Sequence, residues 1–306
     1  MKNNPELSTV SINQLVLGTV QLGMPYGIAN KLGQPNQNNA TKIIEFAWNS
    51  GIKEFDTAQG YGEAEIVLGK AFQELGISDE VAVINKFSDR IDHLNEEIMQ
   101  KELDKSLEKL GLSHFSSMMI HDESLLFKCS RGLGDIFQKF IQLKKFDSVG
   151  ISIYSPENAI KALHEEVINF IQVPGNVIDR RFEEFGVFDL AKKKNKKVYI
   201  RSIFLQGLLL MEPEQIPTKM NYSVPVIERF ISLSDSFGLT REETAIGFIK
   251  NGFPECKVLL GVDSLKHLQK NMKAWSLEYP EDLVKKVREV FSDVPDNITN
   301  WNLWPK

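Results

Sequence analysis

Cysteine is scarce in this sequence, and its two cysteines stand far apart. Cys129 and Cys256 form no CxxC pair, and this spacing argues against a disulfide framework or a zinc site and fits a reducing compartment. No apolar run approaches the roughly 18 residues that a membrane span needs, and the polar start MKNNPELSTV has no apolar signal-peptide core. We therefore expect a cytoplasmic protein that neither spans a membrane nor holds a metal.

An excess of positive charge is also missing. The formal net charge is −5 and the isoelectric point lies near 5.7, so the chain has no overall electrostatic attraction to nucleic acid or to an anionic membrane. The lysine-rich run KKKNKK at residues 192–197 is typical of the solvated C-terminal end of a helix, where cations complement the helix dipole. We therefore expect small molecules as partners, and neither nucleic acid nor a membrane.

No Pro- or Ser-rich linker divides the chain, and one pattern runs along its whole length. Short β-rich apolar runs alternate with longer segments of helical periodicity. The apolar runs predict eight strands, at residues 15–17, 54–56, 81–85, 117–120, 148–151, 170–173, 198–202 and 258–260. The periodic segments predict helices at residues 38–49, 64–74, 95–110, 133–144, 156–163, 180–194 and 264–275, with a paired helical region at 224–251.

This alternation predicts the fold class. Strands separated by helices run parallel and are joined by crossover connections. Eight such units in a chain of 306 residues favour a closed α/β barrel, the (β/α)8 or TIM barrel, over an open sheet. We therefore predict a single barrel domain that spans residues 1–306.

Three successive strand ends carry residues that suit one chemistry. Catalytic residues of a (β/α)8 barrel lie at the C-terminal ends of its strands, and the second, third and fourth strands here end at Asp56, Lys86 and His121. Tyr61 follows Asp56 on a loop, between two glycines. Each of these residues alone is most often structural, but four of them on one rim form a specific pattern.

Together, the four residues suit the reduction of a carbonyl group. A tyrosine has an ordinary pKa of about 10, and we expect the Lys86 ammonium to lower the pKa of Tyr61 by favouring the phenolate. Asp56 would hold Lys86 in place, and His121 would donate a hydrogen bond to the substrate carbonyl. Tyr61 would then deliver a proton as a hydride arrives at the carbon.

The sequence resembles the aldo-keto reductase family over nearly its whole length. The shared motifs are LGTVQLG at the first strand, EFDTAQGYGEAE around Asp56 and Tyr61, INK at Lys86, IHD at His121, GISIYSPE at the fifth strand, IQVPGN at the sixth and GVDSLKHLQKN at the eighth. This resemblance implies an NAD(P)H-dependent carbonyl reductase on a (β/α)8 barrel. It also implies that Asp56, Tyr61, Lys86 and His121 are the catalytic tetrad.

The resemblance further implies a set of cofactor contacts. Ser152 and Gln172 would hold the nicotinamide carboxamide. Arg201 occupies the position at which the family often has an aromatic residue stacked on the nicotinamide. An arginine can also stack, but its charge would lie near a ring that is cationic when oxidised, so our simpler hypothesis is a salt bridge from Arg201 to the cofactor pyrophosphate. The other expected cofactor contacts are Gly18, Thr19, Gln206, Gly207, Gly261, Asp263, Ser264, His267 and Asn271.

The residues of the GVDSLKHLQKN motif at the eighth strand bear on the choice of nucleotide. Family members that prefer NADPH commonly grip its 2′-phosphate with cations before and within this helix, whereas this chain has Asp263 and His267 there. An aspartate near a ribose favours the free 2′-hydroxyl of NADH. We therefore expect NADP(H) as the cofactor with NAD(H) also competent, and discrimination between them below ~10²-fold, or about 2.7 kcal/mol.

The substrate is less well determined than the chemistry. The loop GMPYGIAN, the segment 204–222 and the C-terminal tail should line the mouth of the barrel, with Met24, Tyr26 and Leu208 as candidate apolar contacts. A small aldehyde, a keto sugar and a sugar nucleotide all remain open. In the tail, Trp301 and Trp304 either dock the terminus or border the pocket.

Two other functions compete with carbonyl reduction. A metal-dependent hydrolase that uses His121, Asp122 and Glu123 is disfavoured, because adjacent strand residues point to opposite faces. A nucleotide-binding regulatory or redox-sensing barrel with vestigial turnover stays open. We interpret the remaining polar residues as structural, with His93, His114 and His164 on the surface and Glu65 complementing a helix dipole.

Overall fold

Eight parallel strands close into a barrel in which each strand lies beside its neighbours in the sequence. The computed structural model describes residues 12–305. The strands are β1 (Leu15–Gly18), β2 (Glu54–Asp56), β3 (Ala82–Phe87), β4 (Phe115–Ile120), β5 (Phe146–Ser152), β6 (Phe170–Pro174), β7 (Lys197–Arg201) and β8 (Lys257–Gly261). The last strand pairs with the first, with Gly18 beside Gly261. The prediction of a closed (β/α)8 barrel is confirmed.

Helices follow the strands and surround the barrel. Within residues 12–305 the α-helices are α1 (Val20–Gly23), α2 (Gln37–Asn49), α3 (Ala64–Leu75), α4 (Glu96–Leu110), α5 (Leu133–Gln142), α6 (Pro156–His164), α7 (Arg181–Glu184), α8 (Val187–Lys193), α9 (Val224–Ser236), α10 (Arg241–Gly252), α11 (Leu265–Ser276), α12 (Leu283–Val290) and α13 (Asp296–Thr299). Short 3₁₀ helices occur at Glu123–Arg131, Leu205–Leu210, Pro213–Gln215, Thr218–Ser223 and Trp301–Leu303.

Helix boundaries follow local signals that the sequence carries. Ser264 caps α11 by accepting a hydrogen bond from the backbone N–H of His267, as short hydroxyl side chains commonly do. The predicted helix 180–194 was wrong in one respect, because it is divided into α7 and α8. Between them Gly186 takes a left-handed conformation with φ of 73°, which ends a helix and is favourable only for glycine.

A buried cluster of side chains from six strands, here named the interior layer, lies inside the barrel. This interior layer consists of Val16, Ile84, Met119, Phe170, Tyr199 and Leu259. A Cβ atom on Gly150 of β5 would lie 2.3 Å from the Phe170 ring, so the missing side chain at this position makes room for the ring. The layer separates the N-terminal end of the barrel from the C-terminal end, where the candidate site lies.

Apolar faces of the helices cover the outside of the strands. Phe137 and Phe140 of α5, for example, pack edge-on against Phe146 of β5, with ring centroids 6.1 and 6.2 Å apart. Such tilted arrangements are favourable for aromatic pairs. This outer core holds the helices against the barrel and thereby fixes the strand ends.

Two polar residues are more deeply buried than we expected. His93 is fully buried and its ring lies 6.5 Å from that of Phe87, so its assignment to the surface was wrong; burial also lowers its pKa. Glu65 is buried as well and accepts hydrogen bonds from Asn85 and Lys109, each at 2.9 Å. His114 and His164 are exposed, as predicted.

Two features are absent from the part of the chain that the structure describes. None of the helices between residues 12 and 305 is both long enough and apolar enough to cross a bilayer. The same residues contain no group of three or more His, Cys, Asp or Glu side chains arranged to hold a metal ion.

Candidate active site

A buried ion pair lies at the C-terminal end of the barrel. The ammonium group of Lys86 donates to a carboxylate oxygen of Asp56 at 2.5 Å and to the backbone carbonyl of Thr57 at 2.9 Å. Both charged side chains are almost completely buried, which is tolerable only because they are paired and hydrogen-bonded. Lys86 lies inside β3 and not just beyond it as we predicted, so the strand itself fixes its direction.

The second oxygen of Asp56 is also occupied. Gln172 on β6 donates its amide N–H to it at 2.7 Å, and Thr19 donates its hydroxyl to the backbone carbonyl of Asp56 at 2.8 Å. Ser152 lies beside Gln172 in the register of β5 and β6. Asp56 therefore connects residues from several strands and holds Lys86 in one position.

Tyr61 is positioned by Gly62 and by the close approach of Gly23, which ends α1. Gly62 has a left-handed φ of 57°, and a Cβ atom there would lie 2.4 Å from the carbonyl oxygen of Gly23. A Cβ atom on Gly23 would lie 2.0 Å from the backbone oxygen of Tyr61. Two backbone segments thus approach more closely than side chains would allow, and this contact fixes the loop that carries the tyrosine.

The rings of Tyr61 and His121 meet over the ion pair. They contact edge to face with centroids 5.7 Å apart, and the Lys86 nitrogen lies 4.9 Å from the centre of the Tyr61 ring. Both rings line the same cavity. Within residues 12–305, neither the tyrosine hydroxyl nor the imidazole has a hydrogen-bond partner, so both are available to a ligand.

Protonation at neutral pH follows from burial. Burial, and next the negative charge of Asp56, raise the pKa of Tyr61 well above its ordinary value. This direction is opposite to the one that we expected from Lys86. Burial, followed by the positive charges of Lys86 and Arg201, lowers the pKa of His121 to about 4. Tyr61 is therefore a neutral phenol and His121 a neutral imidazole at pH 7.

A cavity of about 540 Å³ extends from these rings to the N-terminal end of α11. This size is in the usual range for small-molecule and cofactor sites. The predicted site residues that line it are Gly18, Thr19, Tyr26, Asp56, Tyr61, His121, Ser152, Gln172, Arg201, Gln206, Gly207, Gly261, Asp263, His267 and Asn271.

Four predicted site residues do not line this cavity. Lys86 lies beneath it, in contact with Asp56, and Ser264 caps α11 beside it. Leu208 is fully buried in the outer core, and Met24 is partly exposed to solvent outside it. Leu210 and Met211 line the cavity where we had expected Leu208.

The far end of the cavity holds charged groups on and beside α11. Asp263 and His267 form an ion pair at 2.5 Å; the hydrogen bond between them lowers the pKa of Asp263 and raises that of His267. Lys270, one turn further along, lies 3.9 Å from Glu242 of α10. We had missed Lys270 and Glu242, although Lys270 follows His267 at the three-residue spacing that places two helical side chains side by side.

Loops after β1 and β7 meet over one side of the cavity. A Cβ atom on Gly207 would lie 2.5 Å from that of Ala29. The β7 loop reaches this contact through three non-glycine residues with left-handed backbone, Ser202, Leu205 and Gln206, at φ of 60°, 47° and 55°. Such strain is costly and is found mainly at ligand sites and switch regions.

An arginine and two aromatic rings form the side of the cavity nearest β5. The Arg201 guanidinium lies 4.4 Å from the centre of the Tyr154 ring, and that ring contacts Trp301 with centroids 5.8 Å apart. Tyr154 was not among the predicted site residues, although it lies within the GISIYSPE motif, two residues after Ser152. Trp301 lines the cavity, whereas Trp304 donates to the carbonyl of Ile298 and secures the tail.

The comparisons with known sequences agree on one family. The sequence matches the model of the Aldo/keto reductase family over residues 14–291. It is 24% identical over 208 residues to aldo-keto reductase YhdN of Bacillus subtilis, across 65% of this chain and 61% of that protein. It is also 24% identical over 229 residues to NADH-specific methylglyoxal reductase of Escherichia coli, across 68% of this chain and 69% of that protein.

Solved structures share the fold. The holo form of an aldo-keto reductase from Bacillus halodurans superposes with a TM-score of 0.73 at 19% identity, across 90% of this chain and 91% of that one. A glycerol dehydrogenase from Gluconobacter oxydans superposes with a TM-score of 0.72 at 20% identity, across 91% of both chains.

Proposed function

The chain belongs to the aldo/keto reductase family, and we propose that it reduces an aldehyde or a ketone to the alcohol with NADPH or NADH. One observation carries the proposal: the Tyr61 hydroxyl and the His121 imidazole face one cavity above a buried lysine–aspartate pair. The relative in Escherichia coli is named an NADH-specific methylglyoxal reductase, which is a carbonyl reduction of this kind.

In this proposal Tyr61 is the general acid. Its raised pKa keeps the phenol protonated at neutral pH, so that a proton is available when the carbonyl oxygen becomes negative. The Lys86 nitrogen lies 4.9 Å from the centre of the Tyr61 ring, and its positive charge would stabilise the phenolate that remains. Lys86 thus acts on the product of proton transfer, and Asp56 fixes its position.

His121 is the group that orients the substrate. With a pKa of about 4 its imidazole is neutral, and one ring nitrogen carries a hydrogen that can be donated to the carbonyl oxygen. A neutral donor polarises the carbonyl and does not compete with Tyr61 as a proton source. We propose this role in place of the metal-dependent alternative.

The cavity fits a nicotinamide dinucleotide in its chemistry. When bound, NAD(P)H supplies the hydride that adds to the carbonyl carbon. The Gln172 amide oxygen and the Ser152 hydroxyl are suited to the nicotinamide carboxamide, because Asp56 occupies only the amide nitrogen of Gln172. Gly18 and Gly261 line the cavity and carry no side chain that would fill it. The N-terminal end of α11 is suited to phosphate.

The charges at the far end support use of both nucleotides. Asp263 repels a 2′-phosphate when it is not neutralised, and its partner His267 neutralises it only while protonated. Lys270 lines the same region and contributes a second cation. We therefore propose that NADH is a competent donor and that the preference for NADPH stays below ~10²-fold; Asp263→Arg should shift the preference toward NADPH.

The proposed ligands are small molecules, and we place the protein in the cytoplasm. Its two cysteines, Cys129 and Cys256, are buried and unpaired, and free thiols of this kind are usual in a reducing compartment.

A carbonyl panel tests the proposed activity. Oxidation of NADH and of NADPH is followed at pH 7 with aldehydes and ketones of several sizes and charges. We expect turnover with at least one of them, and loss of that turnover in Tyr61→Phe. If every compound is inert, or if Tyr61→Phe reduces them at the wild-type rate, the proposed function is wrong.

A further inference from the structure

Arg201 is a cation that lines the cavity. Of its five N–H donors, the guanidinium uses one at 3.3 Å to the Ser202 hydroxyl and one at 3.4 Å to the carbonyl of Ile153. Within residues 12–305 it forms no ion pair with a carboxylate. It is nevertheless partly buried and lines the cavity. An arginine held in this way is ready to receive an anion from a ligand.

The side chain is directed toward the reacting groups. Arg201 ends β7, whose neighbours in the barrel are β6 and β8. Its guanidinium reaches across β6 to Ile153 and Tyr154, which follow β5. It therefore points away from β8 and from the N-terminal end of α11, where the phosphates of a dinucleotide are expected. This direction argues against our earlier hypothesis of a salt bridge to the pyrophosphate.

The positive charge of Arg201 acts electrostatically on the residues of the proposed reaction centre. Its charge contributes to lowering the pKa of His121 and opposes the rise in the pKa of Tyr61 and of Tyr26. At the same centre Lys86 and Asp56 neutralise each other. The carboxylates of Asp89 and Asp122 act on His121 in the opposite direction and more weakly. Arg201 is therefore a positive charge beside the two rings that no carboxylate within residues 12–305 pairs with.

Aromatic side chains and a hydrogen-bonded loop hold the guanidinium in position. It stacks on Tyr154, whose own ring packs against Trp301. The backbone N–H groups of Tyr154 and Ser155 donate to the Glu123 carboxylate at 2.7 and 3.1 Å, which fixes the loop. A planar, pre-oriented guanidinium matches the two oxygens of a carboxylate or a phosphate.

We infer that the substrate is a carbonyl compound that carries an anionic oxygen group, a carboxylate or a phosphate, which Arg201 binds beside Tyr61 and His121. This inference rests on the proposed function. Carbonyl reduction alone does not define which aldehydes or ketones are substrates. The inference narrows them to anionic compounds and makes Arg201 a specificity-determining residue.

Matched pairs of substrates test the inference. 4-Carboxybenzaldehyde is compared with its methyl ester, and glyceraldehyde 3-phosphate with glyceraldehyde, so that each pair differs in the anionic group. We expect kcat/KM to favour the anion at least ~10-fold in one pair, the size expected for a hydrogen-bonded charge. The pair that responds distinguishes carboxylate from phosphate.

Three variants locate the effect. In Arg201→Met the ratio of kcat/KM for anion over neutral partner should fall to about 1, and Arg201→Lys should retain part of it, because lysine keeps the charge and loses the planar fork. Arg131→Met is the matched control. Arg131 also stacks on an aromatic ring, Phe127, but is exposed and lies outside the cavity, so the ratio should not change.

Binding is measured separately, so that the inference is tested even without turnover. Calorimetric titration of the NADP⁺-bound protein should show tighter binding of 4-carboxybenzaldehyde or glyceraldehyde 3-phosphate than of its neutral partner, and loss of the difference in Arg201→Met. Absence of any reduction with this binding difference intact would overturn the proposed function and leave the anion site standing.

Other results would overturn the inference itself. These are equal kcat/KM and equal binding within both pairs, or a preference for the anion that persists in Arg201→Met. A third is weaker binding of NADPH by Arg201→Met with the substrate ratio unchanged, which would assign Arg201 to the cofactor pyrophosphate.

Discussion

Each end of the barrel contains a carboxylate, a lysine and a tyrosine, in different arrangements. At the N-terminal end Glu54 accepts from the Tyr199 hydroxyl at 2.7 Å and pairs with Lys257 at 2.8 Å. At the C-terminal end Asp56 pairs with Lys86 at 2.5 Å, and the third residue type is Tyr61. Glu54 and Asp56 lie two positions apart on β2, so their side chains point to the same side of the strand.

The difference lies in the tyrosine. The Tyr199 hydroxyl donates to Glu54. The Tyr61 hydroxyl instead faces a cavity and has no hydrogen-bond partner among residues 12–305, since Gln172 and Lys86 already occupy the Asp56 carboxylate. Burial, followed by a carboxylate, raises the pKa of both phenols. The two clusters therefore cannot be told apart by their composition or by the direction of the tyrosine pKa shift. What distinguishes the candidate catalytic cluster is a tyrosine hydroxyl that faces a cavity.

Removal of the two lysines should affect the two ends unequally. Lys86→Met leaves Asp56 buried without its cation, and the expected loss is about 3–5 kcal/mol of unfolding free energy. Lys257→Met should cost less, because Lys257 and Glu54 are partly exposed and Glu54 keeps Tyr199. Urea denaturation of both variants measures the difference. The double variant Lys86→Met with Asp56→Asn should recover part of the loss; equal losses from the two lysine variants would contradict this interpretation.

Replacement of the two tyrosines should separate catalysis from stability. Tyr61→Phe removes only the proposed proton donor, and kcat should fall at least ~10²-fold with little change in cofactor affinity. Tyr199→Phe should leave kcat near wild type and cost about 1.5–3 kcal/mol of stability, the contribution of a hydrogen bond to a charged group. Steady-state kinetics and urea melts on both variants test this. A similar loss of kcat in both variants would contradict the assignment of Tyr61 as the general acid.

The sequence predicted the skeleton of this site better than its electrostatics. Strand–helix alternation was enough to predict the closed barrel, and strand ends were enough to bring Asp56, Lys86 and His121 together. The rise in the pKa of Tyr61 and the burial of His93 were missed, because burial depends on what packs around a residue in three dimensions. Leu208 was misplaced for a similar reason, since left-handed residues in the β7 loop turn it into the core.

The interior layer that separates the two ends should be sensitive to small additions. Gly150→Ala places a methyl group against the Phe170 ring, and overpacking of this kind costs about 1–3 kcal/mol. Gly252→Ala at the end of α10 is the matched control, because its Cβ atom would meet neighbours at an ordinary 3.6 Å. Thermal denaturation compares the two. No loss in Gly150→Ala would mean that Phe170 is free to move.

A smaller effect is expected of pH on the choice of nucleotide. Asp263 raises the pKa of His267, so the imidazole is protonated below that raised value and loses its charge as pH rises through it. Glu242 and Lys270 are the other charged groups that face it. As pH rises above about 7, where a phosphate is already mostly doubly ionised, and through the raised pKa of His267, the kcat/KM ratio of NADPH over NADH should fall several-fold. The ratio should be flat with pH in His267→Gln; a wild-type ratio that rises with pH would contradict this.

Isotope transfer tests the central proposal most directly. The wild-type protein is incubated with an aldehyde and with NADH or NADPH that is deuterated at both positions of nicotinamide C4, and the alcohol is analysed by mass spectrometry and NMR. Hydride transfer predicts one deuterium per molecule of product, bound to the carbinol carbon, and almost none formed by Tyr61→Phe in the same time. Tight binding of the nucleotide with no deuterated alcohol from any aldehyde would instead indicate a nucleotide-binding regulatory barrel.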